Sequence, residues 1–365
     1  MTSNNTKNAV NKRYIQNAID VLMFPLIAIV LGLFVAVFFV MWAKNLGFFD
    51  GVATLFSAIW EGTFGKRANF IETLVATTPL IFTGLAHSVA FRTGLFNIGV
   101  EGQFIMGMLA AALIGLIPGI PSFIHVILVL LGGVIFGAVW AAIPGYLKAK
   151  VGTNEVVNTI MMNFIAMNVS NYFVKGPIHR EGSASSKMIL ESAQLYRFLG
   201  PSERVNIGLF IGLVLIFVIY WLLWKTTIGY ELRAVGLNRH AAEYGGINSK
   251  KNIVLAMVIS GAIAGLGGAV HVAGTIHKVH QLVGFTNYGF DGIAVALLAK
   301  SHPIGVLFSS LLFGGLNSSA RILQKYRIPK QIVYIIQGII IIFVAADYIY
   351  KWFKEKKKKE AIKNA

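Results

Sequence analysis

Long apolar segments recur along this chain and constrain its fold more than any other feature. A helix needs about 20 apolar residues to cross the hydrocarbon core of a bilayer. The chain is 56% hydrophobic and 13% charged, so it could not cover its own surface in water. We therefore expect an all-α polytopic membrane protein with about ten transmembrane helices, in segments 19–42, 70–91, 98–117, 122–147, 153–174, 205–224, 252–274, 285–300, 302–320 and 331–350.

The ends of the chain are polar and basic. The first apolar run exceeds the roughly 7–15 residues of a signal-peptide core, so we interpret it as a transmembrane helix. Residues 1–18 then form a cytoplasmic N-terminal extension, residues 19–350 the transmembrane domain, and residues 351–365 a cytoplasmic tail with seven lysines. Ten crossings put both termini on one side, and the positive-inside rule makes that side the cytoplasm.

The net charge of +17 is distributed as a topology signal and not as a nucleic-acid surface. Basic residues cluster in the tail and between apolar segments, as is typical at an anionic membrane face. One loop fits the proposed topology poorly. The outside loop 175–204 carries five basic residues against three glutamates.

A nine-residue pattern occurs twice, 190 residues apart. Residues 94–102 (GLFNIGVEG) align without gaps with residues 284–292 (GFTNYGFDG). The match places the third segment over the eighth, five crossings apart, so the two halves would have opposite orientation. Inverted repeats with Gly-interrupted helices are typical of transporters. We expect repeats at about 19–174 and 205–350, with broken helices near the third and eighth segments.

Polar residues within these segments are candidates for a substrate pathway. A carboxylate inside a membrane segment costs about 2.5–3.5 kcal/mol on insertion scales, so it usually faces a cavity or a partner. The alternative is structural, because such groups also satisfy backbone ends where helices break. We favour that alternative for the two asparagines and leave both open for the two acids. The candidates from the repeated motif are Asn97, Glu101, Gln103, Asn287 and Asp291.

The fifth segment begins with closely spaced polar residues. Asn154 and Asn158 are four residues apart, and Glu155, Thr159 and Asn163 follow the same spacing, so they form adjacent stripes on one helical face. This pattern favours a pore-lining face over interhelical hydrogen bonding, which averages about 0.6 kcal/mol in membranes.

Several site classes have no support in the sequence. The chain has no cysteine, which excludes disulfides and thiolate sites. Its histidines lack the spacing of a metal site. There is no phosphate-binding loop for ATP and no nucleophile motif, so we expect no enzyme activity, cofactor or metal in this chain.

Two motifs resemble a known family. The pattern G-x-x-N-x-G-x-E-G-Q at residues 94–103 and the sequence GYELRAVG-x-N-x-x-AA-x-x-x-GI at residues 229–247 resemble the permease family of sugar, branched-chain amino acid and nucleoside ABC importers. Residues 77–85, 91–99 and 152–156 are most similar to the nucleoside (guanosine-type) branch. The resemblance covers roughly residues 70–345. It implies a permease that translocates nucleosides across the bacterial cytoplasmic membrane.

The loop 225–251 is long enough for two short helices, and its glycines and Ala-Ala pair suit a compact knob that docks on a soluble partner. The resemblance implies that this partner is the ATPase subunit, which carries ATP and Mg²⁺. The implied coupling residues are Gly229, Tyr230, Glu231, Arg233, Ala234, Gly236, Asn238, Ala241, Ala242 and Gly246.

The resemblance further implies a second homologous permease that completes a heterodimeric pore, and an extracytoplasmic substrate-binding lipoprotein. Membrane lipid is the remaining partner, and no nucleic acid is expected. Alternatives remain open at this point. The substrate could be a simple sugar or a branched-chain amino acid, or the chain could be an ion-coupled secondary transporter with Glu101 or Asp291 as the proton carrier.

Overall fold

The chain folds almost entirely into α-helices. The computed structural model describes residues 27–200 and 202–344, so the N-terminal extension 1–18 and the tail 351–365 lie outside the described residues. The helices are α1 (Ile27–Lys44), α2 (Phe48–Trp60), α3 (Arg67–Arg92), α4 (Val100–Gly115), α5 (Ser122–Val151), α6 (Glu155–Lys175), α7 (Gly208–Lys225), α8 (Thr227–Leu237), α9 (Arg239–Tyr244), α10 (Ser249–His271), α11 (Tyr288–Leu298), α12 (Pro303–Lys325) and α13 (Gln331–Val344).

Six of the described helices are long and apolar enough to cross a membrane, namely α1, α3, α5, α7, α10 and α12. Three further apolar helices, α4, α11 and α13, are shorter. In the described ranges the extended backbone makes no strand and forms only the isolated bridges His179–Ser186 and Ser185–His280. The prediction of a helical polytopic membrane protein is confirmed, while the count of ten crossings stays a prediction.

Two details differ from the sequence-based expectation. α2 lies where no helix was expected, because the predicted helices were apolar segments of bilayer length and its 13 residues are too few to cross a bilayer. α10 continues into a π-helical turn, Val272–Ile276, which is followed by His277 with a φ of 54°. π-helical turns often mark functional sites.

The described helices belong to two compact units. One unit comprises the described parts of residues 1–60 and 320–365, and the other comprises those of residues 61–319. In the first unit α1 approaches α13 closely, since a Cβ on Gly32 would lie 3.2 Å from the carbonyl oxygen of Ile336. The second unit contains the repeated motif and the loop 225–251.

α4 lies at the centre of the second unit. Nearly all of its residues are buried, and a helix that is apolar on every side is typically surrounded by other helices. It packs against α5 and α10. Glycine allows a close approach to α10, because a Cβ on Gly107 would lie 2.0 Å from the carbonyl oxygen of Gly265, and small residues let helix backbones come near one another in lipid.

The contact between α5 and α10 depends on such glycines. A Cβ on Gly265 would lie 2.1 Å from the carbonyl oxygen of Gly133, and a Cβ on Gly137 would lie 2.2 Å from that of Gly261. Because the nearest atoms belong to the backbone, a side chain added at either glycine could be accommodated only by displacement of a whole helix.

We expect Gly265→Val to destabilise the protein by about 3 kcal/mol, at the upper end of overpacking costs. The thermal unfolding midpoint of the detergent-solubilised protein measures this effect. Gly338→Ala is the matched control, because no atom lies within 4 Å of a Cβ there. Equal midpoints for the two variants would show that the α5–α10 contact does not limit stability.

Candidate functional site

The first copy of the repeated motif lies in the turn from α3 to α4 and is tied down by side-chain amides. The Asn97 Oδ1 atom accepts a hydrogen bond from the Gly99 backbone N–H at 3.1 Å. The Asn97 Nδ2 atom donates to Ser260 Oγ on α10 at 2.9 Å and to Gln103 Oε1 at 3.1 Å. Asn97 and Gln103 are both buried. These contacts fit the structural alternative, in which the two amides fix the start of α4.

Glu101 joins the two copies of the motif. Its Oε1 atom accepts hydrogen bonds from Thr286 Oγ1 at 2.6 Å and from the Asn287 N–H at 3.0 Å, and its Oε2 atom accepts one from the Gly289 N–H at 2.7 Å. The carboxylate therefore lies at the N-terminus of α11, where free N–H groups and the helix dipole favour an anion. A Cβ on Gly289 would lie 2.4 Å from the Glu101 backbone nitrogen, so glycine is needed for this approach.

Asp291, the counterpart of Glu101 in the repeat, has a different environment. Its Oδ2 atom accepts a hydrogen bond from Asn317 Nδ2 on α12 at 3.1 Å, and the residue is only half-buried. Asn287 has an exposed side chain, a φ of 69°, and makes no side-chain cap of α11. The second copy of the motif thus leaves more polar surface accessible than the first.

The polar residues of α6 divide into two groups. Asn163 and Thr159 are buried, and Asn163 accepts from the Gly102 N–H at 2.8 Å and donates to the Ile98 carbonyl at 3.0 Å. It is therefore an interhelical bridge to α4, as in the alternative interpretation of this stripe.

The other group lies at the start of α6. Asn154 is exposed and caps the helix by accepting from the Val156 N–H at 2.9 Å. Glu155 pairs with Lys148 at 2.7 Å, and Asn158 donates to Thr153 Oγ1 at 2.5 Å. Three of the predicted pathway residues therefore lie at one end of α6 with part of their surface accessible.

Sequence reasoning missed three polar partners in this region, Ser260, Thr286 and Asn317. Asn317 was detectable as an amide inside an apolar segment. Ser260 gave no signal, because a hydroxyl in a helix commonly bonds to its own backbone, and Thr286 lies in the irregular segment before α11, where a threonine is unremarkable.

The loop 225–251 forms the two short helices α8 and α9, each with a side-chain cap. Thr226 Oγ1 accepts from the Gly229 N–H at 3.1 Å at the start of α8. Asn238 Oδ1 accepts from the Ala241 N–H at 3.0 Å at the start of α9. Such caps typically stabilise a helix by about 1 kcal/mol, so the predicted coupling residue Asn238 has a local structural role.

The predicted coupling residues separate into an inner and an outer set. Gly229 and Ala242 are buried, and a Cβ on Gly229 would lie 2.0 Å from the Leu222 carbonyl oxygen. Glu231 is half-buried and accepts from Asn252 Nδ2 on α10 at 2.9 Å. Arg233, Ala234 and Gly236 are also half-buried, whereas Tyr230, Asn238, Ala241 and Gly246 are exposed.

Two exposed apolar residues extend the outer set. The accessible fractions are 97% for Tyr244 and 89% for Leu237, compared with 63% for Tyr230. We name these three side chains the outer patch. Neither Tyr244 nor Leu237 was predicted, because both positions vary freely in the motif that indicated the loop.

An ion pair within α9 and a hydrogen bond from α9 to the start of α10 lie at the C-terminal end of this loop. Glu243 pairs with Arg239 at 3.2 Å and accepts a hydrogen bond from the Ser249 hydroxyl at the start of α10. The Ser249 hydroxyl and then the Arg239 guanidinium hold the pKa of Glu243 below its usual range, so this carboxylate is charged at neutral pH. In the described part of the chain, no group of three or more His, Asp or Glu residues could hold a metal ion.

Comparison with known proteins shows the family of this chain. The family model described as the permease component of the branched-chain amino acid transport system matches residues 69–345. The chain belongs to this family. Its members are transport components, which places the chain among multi-pass membrane permeases.

Individual relatives cover most of the chain. The guanosine ABC transporter permease protein NupP of Bacillus subtilis is 40% identical over 93% of this chain and 97% of its own length. The nucleoside ABC transporter permease protein NupB of Lactococcus lactis is 36% identical over 92% of this chain and 94% of its own length. The glucose ABC transporter permease protein TsgB13 of Haloferax volcanii is 29% identical over 82% of each chain.

Bacillus subtilis contributes a second match. Its guanosine ABC transporter permease protein NupQ is 28% identical over 75% of this chain and 89% of its own length. Two related permeases with the same named substrate therefore occur in one organism.

Proposed function

We propose that this chain is the transmembrane permease subunit of an ABC importer that translocates nucleosides across the cytoplasmic membrane. The observation that carries this proposal is the 40% identity to a guanosine permease over 93% of the chain. A simple sugar is less favoured, because the glucose permease is less similar and matches less of the chain.

Energy for transport comes from a partner ATPase that carries ATP and Mg²⁺, since this sequence has no phosphate-binding loop of its own. The docking surface is the outer patch, together with Asn238, Ala241 and Gly246. Exposed Tyr side chains support this assignment, because Tyr is enriched among the residues that contribute most to protein–protein binding. Gly229 and Ala242 are buried, so they stabilise the folded loop and do not contact the ATPase.

The proposed topology has ten crossings in two inverted repeats, with both termini in the cytoplasm. Two features support it. α4 and α11, which begin within the two copies of the repeated motif, are both short apolar helices. Each is preceded by irregular backbone, as is typical of discontinuous helices at transporter sites.

Within that topology, the substrate path follows the less buried candidates. Asp291, Asn287, Asn154, Glu155 and Asn158 have accessible polar surface, whereas Asn97, Gln103, Glu101 and Asn163 are buried and hydrogen-bonded internally. We assign the first set to the path and the second set to its framework.

Two protein partners complete the importer. A second, homologous permease forms the other half of the pore, and the occurrence of NupP and NupQ in one organism supports this. An extracytoplasmic binding lipoprotein delivers the nucleoside, as the family resemblance implies.

The test is an uptake assay with the assembled importer and radiolabelled guanosine. We expect saturable guanosine uptake that other nucleosides inhibit and that excess glucose or leucine leaves unchanged. Uptake of labelled glucose or leucine in place of guanosine would contradict the nucleoside assignment while leaving the permease role intact.

A further inference from the structure

The C-terminal end of α11 is held by an arginine from another helix. Arg92, the last residue of α3, donates from Nη2 to the Lys300 carbonyl at 3.0 Å and from Nε to the Ser301 carbonyl at 3.0 Å. Lys300 and Ser301 have φ values of 49° and 53°, a conformation that residues other than glycine adopt only where their surroundings enforce it. The planar guanidinium presents two donors in a fixed geometry, which fits two adjacent carbonyls.

The same arginine also contacts the loop that carries α8. The Arg92 guanidinium lies 5.2 Å from the centroid of the Trp224 ring, at the end of α7. The Arg233 guanidinium on α8 lies 5.7 Å from the centroid of that ring. Both distances are within the range of cation–π attraction. Arg233, Trp224 and Arg92 therefore form a continuous contact from α8 to the end of α11, which we call the arginine relay.

Backbone packing reinforces this connection. A Cβ on Gly236 of α8 would lie 2.1 Å from the Arg92 carbonyl oxygen. The His302 ring, two residues beyond Lys300, lies 5.0 Å from the Trp224 ring. α8 thus cannot move relative to α3 and α7 without disturbing the end of α11.

The opposite end of α11 is held by Glu101, as described above. The helix has only 11 residues and carries Asp291, so a displacement applied at one end moves it as a rigid body against the Glu101 contact. We propose that Arg92 and Trp224 are positioning residues that transmit movement of the docked α8–α9 loop to α11. This inference rests on the proposed function, in which that loop docks on the ATPase.

The first test compares Arg92→Gln, Arg92→Lys and Trp224→Ala in the assembled importer. We expect substrate transported per ATP hydrolysed to fall roughly five- to tenfold or more for Arg92→Gln and Trp224→Ala, with co-purification of the ATPase unchanged. Arg92→Lys keeps the positive charge but lacks the paired donors of the guanidinium, so we expect transport per ATP to fall in this variant as well. Arg180→Gln is the matched control, since Arg180 is exposed in the loop after α6.

A second readout does not depend on the substrate. The chain has no cysteine, and Val283 beside the start of α11 is 96% accessible, so Val283→Cys gives this chain a single position that a water-soluble maleimide can label. We expect ATP to change the labelling rate of this introduced thiol in the otherwise native complex and to leave it unchanged when Arg92→Gln is added.

The outcomes separate the two proposals. If the importer carries a sugar and the ATP response of the Val283→Cys label still depends on Arg92, the relay stands and the nucleoside assignment fails. An ATP response that is identical with and without Arg92→Gln, or unaltered transport per ATP in that variant, overturns the relay. Full activity of Arg92→Lys would show that the paired guanidinium donors have no role, and this result would also overturn the arginine relay.

Discussion

Glu101→Leu is expected to abolish transport and to lower the stability of the folded chain by at least about 3 kcal/mol. The substitution removes the acceptor of three hydrogen bonds, from the Thr286 hydroxyl and from the N–H groups of Asn287 and Gly289. Each donor left unsatisfied in a buried site costs about 1–3 kcal/mol. The substitution also removes the side-chain hydrogen bonds that connect α4 with the start of α11.

Glu101→Gln distinguishes the charge from the shape of this side chain. The oxygen of the introduced amide can still accept a hydrogen bond, but its NH₂ group would face O–H or N–H donors. We therefore expect a stability between those of the wild type and Glu101→Leu. The thermal midpoint in detergent and the uptake rate are measured together. Glu181→Leu serves as the control, because Glu181 is exposed. Wild-type uptake and melting in Glu101→Leu would contradict the assignment of Glu101 to the framework.

Gly236→Glu is expected to uncouple ATP hydrolysis from transport. Any Cβ at this position would approach the Arg92 carbonyl oxygen to 2.1 Å, and backbone on that side cannot yield. The α8 helix would have to shift away from α3, and the substitution would also add a negative charge to the helix that carries Arg233. We expect ATP hydrolysis to continue while transport per ATP falls by about tenfold or more.

A matched pair of smaller substitutions separates packing from charge. Gly236→Ala keeps the clash without the carboxylate, whereas a Cβ on Gly245 in the same loop would meet its nearest atom at 3.4 Å. We expect Gly236→Ala to be impaired and Gly245→Ala to transport normally. Normal transport per ATP in Gly236→Glu would be incompatible with a coupling role for this contact.

Much of the helical framework was predictable from the sequence, because apolar segments of bilayer length leave few other structures. α3, α5, α7, α10 and α12 lie within a few residues of the predicted segments. Polarity indicated the pathway candidates on α6, which stay a prediction, and the length of the loop 225–251 indicated its two short helices. α2 was not predicted, since a short apolar helix between crossings has no distinguishing pattern.

Contacts between distant residues were the part that the sequence could not supply. The 190-residue repeat identified Glu101 and Asp291 as equivalents, yet Glu101 bonds to the second copy of the motif while Asp291 bonds to Asn317. An alignment identifies equivalent residues but gives no distances between side chains. The hydrogen bonds from Arg92 to the Lys300 and Ser301 carbonyls were likewise not predicted, because a basic residue at the end of a transmembrane helix ordinarily extends to the membrane surface.

ATP-dependent uptake into proteoliposomes tests the central claim most directly. The chain is reconstituted with its ATPase, its second permease and the binding protein, and separately on its own with an imposed proton gradient. We predict guanosine uptake that requires ATP in the complete complex and no uptake by the chain alone. Gradient-driven guanosine uptake by the chain alone would contradict the importer assignment and favour an ion-coupled transporter.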